Sequence, residues 1–245
     1  MSAWYDRAFG AWYLKLYPHR DLEEARRAVT TLAPWLPVRE RILDVATGPG
    51  RYLQALSESG RTAVGLDRSR PLLAAAARVP GLAVPPVRGD MRRLPFADAS
   101  FGAVLCMFTS FGYFGSREAH RGVLDEFRRV TATGGRLVLD AVNPSAVRTT
   151  LVPLSVRDVD GHRVTERRRL ERTRNGEAVV KDLLIEDGEG KPVERYREEV
   201  ALYERPDLEA MLAGRGWTPE RTFGDYEGGG WEPLSPRLLI VAGRA

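Results

Sequence analysis

Short apolar runs and helix-like segments alternate through the middle of the chain. The apolar runs have the length and composition of buried strands, and they occupy residues 41–46, 62–67, 83–89, 101–108 and 136–142. Between them apolar residues recur at helical spacing, at about residues 51–58, 72–78 and 118–130. This repetition of strand and helix predicts a mainly parallel, doubly wound α/β sheet with helices on both faces.

A different pattern, in which polar and apolar residues alternate, begins near residue 154. It is typical of antiparallel strands with one solvated face, and the extended segments are residues 164–172, 178–186 and 193–203. Asn175-Gly176 separates the first two and is a strong hairpin signal. We therefore predict a small antiparallel sheet at residues 146–203, inserted after the fifth strand. It could roof a substrate site, form a homodimer contact, or do both. Residues 204–245 return to the core begun by residues 39–145.

The first 38 residues are predicted to be helical. Aromatic and other apolar residues recur at helical spacing from Trp4 to Leu16, and Asp21 is placed to cap a second helix over residues 22–32. This segment either packs on the edge of the core or forms a lid over a small-molecule site, and the pattern leaves both interpretations open.

Composition and charge narrow the class of protein. The hydrophobic fraction of 43% and the charged fraction of 29% are ordinary for a globular chain. We expect a cytoplasmic protein, because the N-terminus has no secretory signal pattern, no apolar run is long enough to cross a membrane, and Cys106 is the only cysteine. The net charge is only +4, and acidic residues flank the basic run Arg167-Arg168-Arg169, so a nucleic-acid partner is not expected.

A glycine-bearing loop follows the first predicted strand and opens the first helix of the core. In a strand–loop–helix unit of this kind, a ligand can approach the backbone closely at Gly48 and Gly50. The loop is not a P-loop, because Arg51-Tyr52 stands where lysine and a hydroxyl residue are needed. It is also not a complete dinucleotide fingerprint, because Leu53 replaces the third glycine.

Two carboxylates follow the next two predicted strands. Asp67 ends the second strand, where an acid can accept hydrogen bonds from ribose hydroxyls. Asp90 follows the third strand, where it could receive an adenine amine while Met91 lies against the ring. Each acid could instead cap a helix. The glycine loop and both acids, however, fall in order at the carboxyl edge of the sheet, where open α/β sheets bind ligands, and together they favour a nucleotide-type ligand.

These motifs resemble those of class I S-adenosylmethionine-dependent methyltransferases over roughly residues 42–142. The resemblance is carried by Leu43 to Gly50, Asp67, Asp90-Met91 and the turn Thr133 to Leu137. It implies a Rossmann-like fold with a seven-stranded sheet, S-adenosylmethionine as cofactor and S-adenosylhomocysteine as product. We expect the following residues to contact the cofactor: Tyr13, Arg20, Ala46, Thr47, Gly48, Gly50, Asp67, Arg68, Asp90, Met91 and Met107.

The acceptor side rests on a looser resemblance. The segment from Cys106 to Phe114 looks like the stretch after the fourth strand in small-molecule methyltransferases, including amino-sugar N,N-dimethyltransferases, which also carry a sheet insertion after the fifth strand. Tyr113 stands where those enzymes often have histidine. The expected substrate contacts are Tyr17, Phe111 and Tyr113, and the candidates for assisting proton removal are Tyr113 and His19, with His120 as a further candidate.

The function that follows is methyl transfer to a small-molecule acceptor by in-line displacement, with no metal required. Two alternatives stay open. The first is a methyltransferase that acts on RNA or protein, and the second is a module that binds S-adenosylmethionine without turnover. The sequence leaves open whether nitrogen, oxygen or carbon is methylated, and it leaves open the oligomeric state.

Overall fold

The computed structural model describes residues 4–17, 21–173 and 176–245. The strands are β1 (Ile42–Val45), β2 (Ala63–Asp67), β3 (Val87–Arg88), β4 (Phe101–Cys106), β5 (Thr131–Ala141), β6 (Leu154–Val159), β7 (His162–Thr173), β8 (Gly176–Glu186), β9 (Pro192–Ala201), β10 (Trp217–Phe223) and β11 (Leu238–Arg244). The helices are α1 (Trp4–Ala8), α2 (Trp12–Leu16), α3 (Leu22–Leu32), α4 (Arg51–Glu58), α5 (Arg70–Ala76), α6 (Arg117–Val130), α7 (Pro144–Thr150) and α8 (Arg205–Ala213), with a 3₁₀ turn at Ala33–Trp35.

The main sheet has seven strands in the order β10-β11-β5-β4-β1-β2-β3. The pairs among β1 to β5 are parallel, whereas β11 runs antiparallel to both β5 and β10. Every residue of β1 and β2 is buried, because helices cover both faces of the sheet. The predicted Rossmann-like, doubly wound fold is confirmed.

Side chains on the central strands alternate between two cores, one on each face of the main sheet. Leu43 and Val104 pack with residues of α6 and α8, such as Phe127. Their chain neighbours Ile42 and Ala103 pack with residues of α3 and α4 in the second cluster. Successive residues of a strand point to opposite faces, so one short apolar run supplies both cores. The cores fix the strand ends, and through them the loops at the carboxyl edge.

Side-chain caps start several of the helices around this sheet. The Asp21 carboxylate accepts a hydrogen bond from the Glu24 amide at 3.0 Å, and Ser116 does the same for the Ala119 amide at 3.0 Å. The predicted cap at Asp21 is therefore confirmed. Among the described residues, no helix is long and apolar enough to span a membrane.

The inserted segment forms a separate antiparallel sheet in the order β6-β7-β8-β9. One face carries Val164, Leu183 and Tyr196, which pack against Ala8 and Leu16 of the two N-terminal helices. The N-terminal helices therefore contact the inserted sheet, and this contact builds one wall of the site described below.

Four elements differ from the sequence-based prediction. The first predicted helix is two short helices, α1 and α2, separated around Gly10, whose amide donates to the Arg7 carbonyl at 3.1 Å. The third predicted strand is only two residues long, because Pro85 and Pro86 before it have no N–H to pair. Helix α7 was not predicted, and β6 adds a fourth strand to the inserted sheet. Asn175 of the predicted hairpin turn lies outside the described residues, but Thr173 and Gly176 pair across it.

Candidate active site

A cavity of about 500 Å³ lies at the carboxyl ends of β1, β2 and β4. Open α/β sheets bind ligands at this edge, because the loops that follow the parallel strands all emerge there side by side. One wall comes from these loops. The opposite wall comes from the N-terminal helices and the inserted sheet, so residues far apart in the chain enclose one space.

The glycine loop turns through three left-handed residues. Ala46, Gly48 and Gly50 have φ of 57°, 59° and 89°, a region that favours glycine. Gly48 lines the cavity, and a Cβ built on it would meet no atom within 4 Å. At Gly50 an added Cβ would lie 2.9 Å from Val79 Cγ2. Gly48 therefore leaves room for a ligand, whereas Gly50, which was predicted to contact the cofactor, lies behind the loop and starts α4.

The Asp67 carboxylate links the glycine loop to the second strand. It is only 8% exposed, and it accepts hydrogen bonds from the backbone amides of Gly48 and Ser69, each at 2.8 Å. Burial raises the pKa of Asp67, although these amide hydrogen bonds act against the shift. Asp67 lines the cavity, so its carboxylate both supports the loop and faces the ligand space.

Asp44 is a second buried carboxylate beneath the loop. Its oxygen accepts a hydrogen bond from the Thr47 hydroxyl at 2.5 Å. Burial raises the pKa of Asp44 to about 7, and the Thr47 hydrogen bond opposes part of that shift. Sequence reasoning did not assign Asp44 a role, although its position in the strand before the loop was the available signal.

Asp90, Met91 and Arg68, at which cofactor contacts were predicted, all line the cavity. Hydrogen bonds from Arg92 lower the pKa of Asp90. Arg68 forms ion pairs with Asp90 at 2.7 Å and with Asp6 of α1 at 2.5 Å. This arginine therefore joins the core to the N-terminal segment at the edge of the cavity.

The loop after β4 has two successive left-handed residues that are not glycine. Phe108 and Thr109 have φ of 55° and 58°, a conformation that costs energy and is found where surrounding contacts enforce it. The Phe108 amide donates to the Asp140 carboxylate at 2.7 Å, and the guanidinium carbons of Arg51 and Arg237 lie 4.3 and 4.5 Å from the Phe108 ring centre. Phe108 lies in the segment from Cys106 to Phe114 that the sequence singled out, but it was not named as a contact, because its partners come from three other parts of the chain.

Aromatic residues from the N-terminal segment line the opposite wall. Tyr13 and Tyr17 both face the cavity, as predicted, and their ring centres are 5.2 Å apart. Phe9 stacks on Tyr113 at 5.6 Å, and Trp4 contacts the same ring edge-on at 5.1 Å. Tyr113 is therefore brought to the N-terminal helices, where an aromatic surface can attract a cation.

Sequence reasoning missed two charged residues of the inserted sheet. Lys181 and Glu198 line the cavity and form an ion pair at 2.7 Å. The Lys181 ammonium also donates to the Tyr17 hydroxyl at 2.7 Å. Burial is the largest cause of the raised pKa of Tyr17, so this phenol stays protonated at neutral pH.

Other predicted residues lie away from the cavity. Phe111, where a substrate contact was expected, does not line it but packs in the core, with its ring 5.2 Å from the His120 ring. His120 is fully buried and holds the loop, because its Nε2 accepts from the Phe114 amide at 3.0 Å and its Nδ1 lies 2.6 Å from the Tyr203 hydroxyl. Burial lowers the pKa of His120 to about 4, which makes it a neutral structural residue.

The remaining predicted residues have simple outcomes. Ala46, Thr47 and Met107 line the cavity together with the glycine loop and the loop after β4. Cys106 is fully buried in the core. His19 and Arg20 lie outside the described residues, so their predicted roles stay predictions.

Comparison with known proteins places this geometry in context. A family model described as a methyltransferase domain matches residues 42–135. Demethylmenaquinone methyltransferase of Beutenbergia cavernae is 45% identical over 101 residues, which are 41% of this chain and 40% of that protein. The enzyme of the same name from Mycolicibacterium vanbaalenii is 38% identical over 128 residues, 51% of this chain and 50% of that protein. The chain thus spans half or less of the length of these relatives.

Solved structures match over nearly the whole chain. The sugar N-methyltransferase KedS8 of Streptoalloteichus is 27% identical, with a TM-score of 0.68, and the match covers 96% of this chain and 93% of that one. CalS10, an amino pentose methyltransferase of Micromonospora echinaspora solved with S-adenosylmethionine bound, is 25% identical, with a TM-score of 0.65, and the match covers 96% of this chain and 95% of that one. CcbJ of Streptomyces caelestis has a TM-score of 0.76, with coverage of 91% and 95%, but at 18% identity it shows the fold alone.

Proposed function

We propose that this chain, whose residues 42–135 match a model of a methyltransferase domain, is a class I S-adenosylmethionine-dependent methyltransferase that transfers a methyl group to a small-molecule acceptor by in-line displacement. One observation carries the proposal. A single cavity has a nucleotide-type wall, with Gly48 and Asp67, and an opposite wall of aromatic and polar residues, with Tyr113 and Lys181. A donor and an acceptor can therefore meet in one enclosed space.

The residues of the first wall suit S-adenosylmethionine. The open space at Gly48 admits a ligand against the backbone, and the Asp67 and Asp90 carboxylates offer acceptors for hydroxyl and amine hydrogens. Met91 and Met107 add apolar surface for a ring system. When bound there, the cofactor supplies a methyl group that its positively charged sulfur has already activated.

The contribution of the protein is then alignment and exclusion of water. Tyr13 and Tyr17 present aromatic faces that can attract a cation. Phe9 and Trp4 fix the ring of Tyr113 from two sides, and we propose that Tyr113 orients the acceptor atom. Holding two reactants in a near-attack geometry in a water-poor site lowers the activation free energy by roughly 7 kcal/mol or more.

Several features support a small acceptor rather than a macromolecule. A cavity of about 500 Å³ falls in the range of small-molecule sites. The inserted sheet and the N-terminal helices enclose it, and the net charge of +4 is weak for a nucleic-acid enzyme. The matched proteins named above are methyltransferases of sugars and of demethylmenaquinone, which are small molecules.

Two measurements test the proposed function. Calorimetry with S-adenosylhomocysteine tests the cofactor wall, and no binding at millimolar ligand would overturn the assignment of the cavity. A tritiated-methyl assay with separate small-molecule, RNA and protein pools tests the acceptor class. Label that enters the small-molecule pool supports the proposal, whereas label confined to RNA or protein contradicts it.

We also propose that the inserted sheet can mediate a homodimer through its edge strand β6. Leu154 and Val156 on this strand are 47% and 55% exposed, and an unpaired strand edge with apolar side chains is suited to pairing with a second copy. Light scattering after size exclusion measures the mass directly. A monomer at high concentration would contradict this part of the proposal.

A further inference from the structure

The cavity wall made by the inserted sheet contains one ion pair. Lys181 of β8 and Glu198 of β9 are directly opposite in register, and the ammonium lies 2.7 Å from the carboxylate. Their side chains are only 12% and 17% exposed, and both face the cavity. The Lys181 ammonium also donates to Tyr17 from the opposite side.

Stability alone does not account for a buried ion pair at this place. Removing two charges from water costs several kcal/mol each, and their attraction often no more than offsets that cost. Leu183, Ile185 and Tyr196 on the same two strands are apolar core residues that pack well there. Two charged residues at the cavity wall, among apolar neighbours, are therefore better explained by a ligand than by the fold.

A second buried carboxylate nearby already has its partners within the protein. Glu166 is fully buried, and it accepts hydrogen bonds from Arg157, Arg168 and Ser155. Lys181 and Glu198, in contrast, have bonding capacity left. The ammonium carries three N–H donors and directs two of them to Glu198 and Tyr17. The Glu198 carboxylate has about four acceptor sites, of which Lys181 occupies one.

We propose that Lys181 and Glu198 form the acceptor-recognition pair of the cavity, and that the pair binds an uncharged hydroxyl group of the acceptor. A hydroxyl accepts one hydrogen bond and donates another. It can therefore accept from the Lys181 ammonium and donate to the Glu198 carboxylate at the same time. This inference rests on the proposed function, because it assigns the acceptor side of the same cavity.

The charges at the pair favour a hydroxyl over an ionic group. Burial acts to lower the pKa of Lys181, but Glu198 and Tyr17 outweigh it and the pKa is raised, so the ammonium stays charged. A cationic group at the pair would be repelled by Lys181. An anionic group would be repelled by Glu198. A neutral hydroxyl meets neither repulsion.

The small number of lysines provides a direct test. The chain has only three, Lys15, Lys181 and Lys191, so protein labelled with ¹³C-lysine gives three side-chain signals by NMR. We would titrate the protein, saturated with S-adenosylhomocysteine, with cyclohexanol, cyclohexylammonium and cyclohexanecarboxylate. These probes share one ring and differ in the group they present. We expect cyclohexanol to shift the Lys181 signal in a saturable way and to leave the signals of Lys15 and Lys191 in place.

Variants separate recognition from structure. Glu198→Gln should weaken the cyclohexanol effect on Lys181 about tenfold, because a neutral amide oxygen replaces the charged acceptor of the hydroxyl hydrogen. Glu194→Gln is the matched control. Glu194 lies on the same strand and forms an ion pair with Arg7 at 2.6 Å, and neither residue lines the cavity. This variant should leave the effect of cyclohexanol on the Lys181 signal unchanged. If Glu198→Gln does not fold, Glu198→Asp shortens the carboxylate reach by one methylene and tests the same contact.

Two outcomes overturn the inference. In the first, the charged probes shift the Lys181 signal more than cyclohexanol does. In the second, none of the three probes shifts it. Loss of S-adenosylhomocysteine binding by the unmodified protein would instead contradict the proposed function, so the two failures can be told apart.

Discussion

Replacement of Asp67 by asparagine is expected to weaken S-adenosylhomocysteine binding by about 10- to 100-fold. The two carboxylate oxygens accept from the backbone amides of Gly48 and Ser69, each at 2.8 Å, while the side chain faces the cavity. Asparagine has one acceptor oxygen, so its NH₂ group must face one of these amide donors. It also offers a ligand hydroxyl a neutral partner in place of a charged one.

The magnitude follows from the kind of hydrogen bond that is lost. A hydrogen bond to a charged group contributes about 1.5–3 kcal/mol, roughly twice that of a neutral one. Each 1.4 kcal/mol is about a factor of ten in the dissociation constant, which gives the expected range. Because Asp67 is 8% exposed, solvent screening reduces this effect little.

Isothermal titration calorimetry measures the dissociation constant, and thermal unfolding monitors the fold. Asp90→Asn is the matched comparison. Asp90 lines the same cavity, but its side chain is 25% exposed and Arg68 and Arg92 hold it, so its loss should weaken binding less than the Asp67 change does. A dissociation constant for Asp67→Asn within about twofold of the unmodified protein, in a folded sample, would refute the reasoning.

Two further predictions concern the same loop. The pKa of Asp44 is raised from 3.8 to about 7 in the folded protein, so between these pH values the native state keeps a proton that the unfolded chain loses. The stability that this proton provides is complete below about pH 4 and is lost as the pH rises to about 7. The total loss is on the order of 4 kcal/mol. Urea unfolding of the protein and of Asp44→Asn across this range checks the sign, and a difference between them that does not change with pH would contradict it. Gly50→Ala should lower the free energy of unfolding by about 1–3 kcal/mol, since its Cβ would lie 2.9 Å from Val79 Cγ2 at a φ of 89°. Gly48→Ala should cost only about 1 kcal/mol of stability, because its Cβ would meet no atom, and its main effect should be weaker S-adenosylhomocysteine binding. If the two variants changed the free energy of unfolding and the ligand affinity equally, the assignment of the two glycines would be wrong.

The nucleotide-type wall was predictable because its signals are local. Gly48 and Asp67 each follow directly from a short apolar strand, and parallel strands bring their carboxyl ends to one edge. Gly50 was expected to contact the cofactor, but it lies against Val79 behind the loop, and the sequence does not reveal that packing. Whether a loop glycine faces a ligand or a neighbouring side chain depends on tertiary packing.

The acceptor wall depends on register, which the sequence specifies poorly. Lys181 and Glu198 face each other only because of the irregular pairing between Ile185 and Glu186 near the turn. A slip of one residue would send one of the two side chains to the opposite face of the sheet. Counting strand residues back from the turn was the available signal, but this irregularity makes such a count unreliable.

The contact between the N-terminal helices and the inserted sheet has a consequence for folding. The hydrogen bond from Lys181 to Tyr17 joins residues 164 positions apart, and Ala8 packs with Tyr196 in the same cluster. During synthesis the N-terminal residues emerge before the inserted sheet, so Ala8 and Leu16 lack the complete apolar surface on which they pack until β9 has been made. Contacts of such long sequence separation also form slowly. We therefore expect the parallel core to assemble early and the aromatic segment to dock late, so a segment that is made before the core completes its packing after the core does.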